Sequence, residues 1–188
     1  MIVAHRKSEA YKPLHIFKVK GRTLDTKEVE RLLRSVNEKR HGTRAGVTTA
    51  DDEALLETLF QPSERLAVYG SLAPGQPNHH LLAPLGGEWI EGYVEGELHT
   101  VGWGAAQGFP ALCWRSGGAT VRVHVLISSA LPEMWAKLDE FEGADYRRSL
   151  VPVHRAETIG DLLAVANLYE CRLLPLNQKS DAHCTIQD

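Results

Sequence analysis

Apolar residues recur along this chain at two different periods, and the change of period marks where helices give way to strands. Over Asp25 to Gly42 the residues Val29, Leu32, Leu33 and Val36 share one face at helical spacing. Asp25 followed by Glu28 forms a capping box, and Lys39, Arg40 and His41 ahead of Gly42 suit the negative C-terminal end of a helix. A second helix is expected from Thr49, carrying Leu55, Leu56, Leu59 and Phe60 until Pro62 stops it. Upstream of both, Leu14 to Val19 reads as a short strand. Two short helices with one apolar face each are marginal alone, so they are expected to pack on the rest of the chain or on a second copy of it.

Beyond the segment Pro62-Ser63-Glu64-Arg65 the pattern becomes strand-like. Leu66-Ala67-Val68-Tyr69 is a compact apolar run with Gly70-Ser71-Leu72 directly after it, and Ala73-Pro74-Gly75-Gln76-Pro77 forbids regular structure. Asn78 is expected to cap a helix through His79, His80, Leu81 and Leu82. Strands follow over Thr120 to Ile127 and Leu163 to Tyr169. Between them Ser129 to Phe141 reads as a helix, with Ser128 or Ser129 as cap, Pro132 in the first turn and Gly143 just past the end.

That helix carries the most informative residue. Leu131, Trp135 and Leu138 make its buried stripe, and Glu142 continues the stripe four residues later. A carboxylate turned toward an apolar interior loses hydration, and the negative end of its own helix disfavours ionisation further. Both effects raise its pKa toward the range useful for proton transfer near neutrality. The plainer alternatives are that Glu142 pairs with Arg147 or Arg148, or frays into water. Tyr146 can line the same cavity with its hydroxyl.

The Gly70-Ser71 turn admits two readings as well. A glycine just past a strand lets backbone N–H groups converge into a cradle for a carboxylate or an oxyanion, yet most such turns are only structural. A nucleophilic Ser71 with His79 or His80 as base lacks both the G-x-S-x-G elbow and an acidic residue placed to orient the histidine.

Composition narrows the class. The chain has 188 residues, 43% hydrophobic and 24% charged, as in ordinary globular proteins. Its apolar runs are too short to cross a bilayer, and Met1 to Lys20 lacks the apolar centre of a secretion signal, so a cytoplasmic protein is expected. Cys113, Cys171 and Cys184 are odd in number and have no C-x-x-C spacing, which predicts buried or incidental thiols. The nine histidines show no ligand spacing, so no metal is expected. Charge is divided unevenly: Met1 to Ala45 holds 12 Lys and Arg against 5 Asp and Glu, a surplus of 7, while the remainder holds 9 against 19, a deficit of 10. The basic arm is read as docked on its own acidic remainder or solvated. It matches no nucleic-acid motif, and a nucleic-acid partner is not expected.

Taken together, Val68-Tyr69-Gly70-Ser71-Leu72, then Asn78-His79-His80-Leu81-Leu82, then Phe109-Pro110-Ala111-Leu112, then Leu138-Asp139-Glu140-Phe141-Glu142-Gly143 with Tyr146-Arg147-Arg148, resemble the gamma-glutamylcyclotransferase-like, or AIG2-like, family. The resemblance implies an α+β fold, a small mixed β-barrel with flanking helices, in which the Tyr69 to Leu72 loop meets Glu142. It implies that Tyr69, Gly70, Ser71 and Leu72 hold the carboxylate and amine of a gamma-glutamyl group, that Glu142 is the acid and base, and that Tyr146 lines the pocket. The implied reaction releases 5-oxoproline from a small gamma-glutamyl compound without a cofactor. A non-catalytic module that binds or senses a small molecule on the same fold is the alternative. The chain departs from the family pattern at Arg122 and His124, where a small and an acidic residue are expected, in a final strand without tryptophan, and in its N-terminal arm. The expected organisation is a basic extension over 1–61, docked or exchanged in a homodimer, a cyclotransferase-like domain over 66–170 and a tail over 171–188.

Overall fold

The computed structural model describes residues 17–19, 22–42, 50–100, 104, 108–155 and 161–172. Leu14 to Ile16 of the first expected strand, Thr49, Cys184 and the tail after Arg172 lie outside these residues. A two-stranded hairpin, β1 (Phe17–Val19) and β2 (Arg22–Leu24), leads into α1 (Thr26–Arg40), and α2 (Ala50–Phe60) follows. Asp25 caps α1 by accepting from Glu28 N at 2.8 Å, and Val29, Leu32, Leu33 and Val36 are all buried.

The remaining strands close on themselves. The strands are β3 (Arg65–Val68), β4 (Glu88–His99), β5 (Ala111–Trp114), β6 (Ala119–Ile127), β7 (Tyr146–His154) and β8 (Leu162–Cys171). The order β4-β6-β3-β8-β7 returns to β4 through Tyr93 opposite His154, giving a five-stranded barrel, with β5 added to the outer part of β4. Among the described strands only β3 and β8 pair in parallel, with Leu66 opposite Asn167. Closure demands close approach at Gly92, where a Cβ would lie 2.5 Å from Val153 Cγ1 and 2.9 Å from His154 O. The α+β barrel expected from the family resemblance is therefore the fold.

A barrel this small is filled by side chains. Val94, Val123, Val125, Val151, Val153, Ala166 and Leu168 belong to one buried cluster with Ala67. Strand β8 is buried along its whole length, because its outer surface is covered too. Leu32, Leu33 and Val36 of α1 and Leu56 and Phe60 of α2 pack with Leu150, Leu162 and Val165 of β7 and β8. Asn37 pairs with the backbone of Leu150, and Asn167 Nδ2 donates to Pro62 O at 2.7 Å. The N-terminal helices thus pack on β7 and β8 of the barrel.

Three local expectations are corrected. His79–Leu81 is a single 3-10 turn without a side-chain cap from Asn78, whose backbone N instead donates to Ser71 O at 2.9 Å and folds the loop back on itself. Helix α3 (Leu131–Glu142) starts two residues later than Ser129, after Ala130 already in helical conformation; Ser128 Oγ accepts from Ala130 N at 3.2 Å and donates to Leu85 O at 3.0 Å. Cys113 and Cys171 are not separate thiols but a disulfide, with Cα atoms 5.8 Å apart. Their 58-residue separation hides a neighbourhood that arises only when β5 crosses beside β8.

Candidate active site

The site lies where β3 ends. The buried strand Arg65–Val68 delivers Tyr69 to a loop that turns tightly, Ala73 N donating to Gly70 O at 3.0 Å. Tyr69, Gly70, Ser71 and Leu72 all line one cavity, and Ser71 and Leu72 are buried. The opposite wall is Glu142, at the last position of α3, and Tyr146, at the first of β7. Gly143 stands between them with φ of 69° and ψ of −163°, a backbone conformation open to glycine, where the helix ends and the chain turns toward the strand. The cavity is narrow, about 50 Å³, so it fits a compact group.

Glu142 is 8% exposed, and burial pushes its carboxyl up to about 7. Of the two arginines that follow it, Arg147 Nε binds Glu170 at 3.0 Å, and Arg148 Nη2 binds Asp139 at 3.1 Å while its guanidinium lies over Trp135. The Tyr146 phenol is also raised, by burial first and then by the charge of Glu142, which places the two groups within electrostatic reach. Burial, foremost, raises Tyr69 as well, while its hydroxyl accepts from Leu112 N at 2.8 Å and so ties the loop to β5. All six residues expected at the site on the strength of the family resemblance therefore meet around one cavity.

Sequence reasoning did not assign Phe109, Pro110 and Tyr169 to the site, although all three line it. The Phe109 side chain covers Gly70, where a Cβ would sit 3.6 Å from Phe109 Cβ. Tyr169 reaches the cavity from β8 and donates to Asp139 Oδ1 at 2.6 Å. Conversely, Arg122 and His124 lie on β6 facing Glu91, at 2.6 and 4.0 Å, away from the cavity, so these departures from the family pattern do not alter its walls. His79 Nδ1 faces Leu72 O at 3.4 Å and His80 Nδ1 faces Pro77 O at 3.0 Å, so each of these ring nitrogens meets a backbone carbonyl and not Ser71. Among the described residues, no three His, Cys, Asp or Glu converge as a metal site would require. Among them too, no helix is long and apolar enough to cross a membrane.

Several known proteins are similar to this chain. Solved structures among them include an uncharacterized protein from Pyrococcus horikoshii, at 25% identity over 59% of this chain and 80% of that one, with a TM-score of 0.43. An AIG2-like protein from Mus musculus is 24% identical over 60% of this chain and 80% of that one, with a TM-score of 0.45. YkqA from Bacillus subtilis is 25% identical over 58% of this chain but only 36% of that one, with a TM-score of 0.43. No curated protein matches. The family model for gamma-glutamyl cyclotransferase, AIG2-like, matches residues 66–185, a span that contains the loop after β3, Glu142 and Tyr146 and exceeds half of the chain. On that match, the chain belongs to the gamma-glutamyl cyclotransferase, AIG2-like family.

Proposed function

We propose that the protein cyclises a small gamma-glutamyl compound and releases 5-oxoproline, with Glu142 as general acid and base. The observation that carries this reading is a glutamate, buried in a narrow cavity and poised to titrate near pH 7, facing a strand-end loop of Tyr69 to Leu72. A group with that pKa can accept a proton and return it within one catalytic cycle.

The steps balance without water or a cofactor. Ionised Glu142 takes a proton from the substrate α-ammonium, and the freed nitrogen attacks the γ-carbonyl carbon, forming the lactam C–N bond. The carbonyl oxygen becomes an oxyanion, stabilised by donors of the loop at Gly70 and Ser71. Glu142 returns that proton to the leaving nitrogen and takes the second one from the ring nitrogen; collapse then breaks the bond to the leaving nitrogen, and the amine departs with this second proton as its ammonium. The narrow cavity favours the folded substrate conformer in which nitrogen and carbonyl approach each other.

The test is 5-oxoproline release from a panel of gamma-glutamyl amino acids, peptides and amines by the wild-type chain and by Glu142→Gln. Turnover that disappears with Glu142→Gln supports the reading, and turnover retained by it removes Glu142 as catalyst. Absence of turnover on every compound by the wild type favours a binding module instead.

A further inference from the structure

Beside the narrow cavity, and sharing Tyr146 and Tyr169 with it, runs a wider groove of about 690 Å³. The size contrast divides the substrate. On the cyclotransferase reading a gamma-glutamyl group occupies the cavity against Glu142, and the groove past the two tyrosines is open to whatever is attached to its γ-carbonyl. The groove is not made by the barrel alone, because Arg40 and His41 come from the end of α1 and Glu53 from α2. Arg147, Arg148 and Arg172 complete it from β7 and from the residue after β8.

The charge of this lining is positive. Arg40 pairs with Glu53, Arg148 with Asp139, and Arg147 with the buried Glu170 that lies behind it. Three carboxylates thus stand against four guanidiniums, and Arg172 supplies the surplus. A guanidinium has five N–H donors in a planar fork, so an arginine already holding one carboxylate can still donate to another. Burial, then Arg147, holds the His41 imidazole below the usual range, and its Nε2 lies 3.1 Å from Ser149 Oγ. A cationic leaving group would meet this surplus unfavourably, whereas a carboxylate would be attracted to it.

We propose that this arginine-lined groove is the leaving-group subsite, that it selects leaving amines bearing a free carboxylate, and that the N-terminal extension is part of the specificity determinant. The inference rests on the cyclotransferase reading of the adjoining cavity. It gives the extension a role, since its α1 brings Arg40 to a groove that the barrel strands alone would leave open on one side.

Two measurements separate this proposal from the reading beneath it. The first compares kcat/KM among three substrates, gamma-glutamyl-alanine, its C-terminal amide and gamma-glutamyl-diaminobutane, with release of 5-oxoproline as the readout. The second measures equilibrium binding of the same three probes to Glu142→Gln, and does not require turnover. The acid is expected to exceed the amide by about tenfold, the worth of one charge-assisted hydrogen bond, with the cationic amine poorest. In Arg172→Glu, at an exposed position, the acid's advantage over the amide is expected to vanish. Failure of turnover on every probe would defeat the cyclotransferase reading and leave the groove to be judged on binding. Equal binding of acid and amide, no detectable binding of either, or an advantage unchanged by both Arg172→Glu and Arg40→Gln would overturn the groove assignment.

Discussion

Asn37 of α1 forms a reciprocal pair with the backbone of Leu150 on β7, its Nδ2 donating to Leu150 O at 2.7 Å and its Oδ1 accepting from Leu150 N at 2.8 Å. The side-chain amide satisfies the strand there as a neighbouring strand would. It fixes α1, and with it Arg40 three residues on, relative to the barrel. Replacing Asn37 by Ala leaves a buried donor and a buried acceptor unsatisfied, which costs about 2–4 kcal/mol by the usual penalty for such groups. Urea unfolding of Asn37→Ala against wild type measures this, and a loss below about 0.5 kcal/mol, the size of an ordinary surface change, would show that the pair does not anchor the helix.

If Glu142 is the base, as proposed, it sets the pH profile of catalysis. The base form requires a deprotonated carboxyl, whose pKa burial pushes up to about 7. Activity as kcat/KM should therefore fall about tenfold per pH unit below that point, as expected for one essential ionised base. A profile flat down to pH 5 would contradict the assignment.

Stability should move in the opposite direction with pH. The folded pKa of Glu142 lies above its ordinary 4.5, so the folded chain binds more protons than the unfolded one between that value and about 7. Its contribution is fully present below 4.5 and is lost as pH rises through about 7. By pH 8 the buried carboxylate costs on the order of 1–3 kcal/mol. Glu142→Gln, which carries no charge, is expected to be more stable than wild type at pH 8, with the advantage shrinking toward pH 5. Thermal melts at both pH values read the difference.

The disulfide between Cys113 and Cys171 predicts one free thiol, that of Cys184, when the denatured chain is titrated without reductant. Reduction, or Cys113→Ser, removes a crosslink between residues 58 apart and should cost about 2–4 kcal/mol in unfolding. Three titratable thiols in the non-reduced chain would contradict the pairing.

Local signals carried much of this architecture into view. The face of α1 was legible because Val29, Leu32, Leu33 and Val36 repeat at helical spacing, and its start because Asp25 precedes Glu28 by three. Glu142 stood out because a charged residue continued the Leu131, Trp135 and Leu138 stripe, and its burial follows from that position on the helix. Such features are periodic or sequential, and short-range sterics and solvation decide them.

Long-range relationships were not legible in this way. Neither Arg147 nor Arg148 could be assigned a partner from spacing, because Glu170 and Asp139 reach them only once β8 and α3 flank β7. Cys113 meets Cys171, and Asn37 meets Leu150, 113 residues away, for the same reason. The basic extension showed its charge in the sequence but not its place. That place depends on where the barrel closes, since Arg40 lines, with Arg147 and Arg148, the groove that shares Tyr146 and Tyr169 with the Glu142 cavity. Pattern along a chain reports what each residue prefers as solvent and as backbone conformation, whereas the partner of a polar group is chosen by packing among elements distant in sequence.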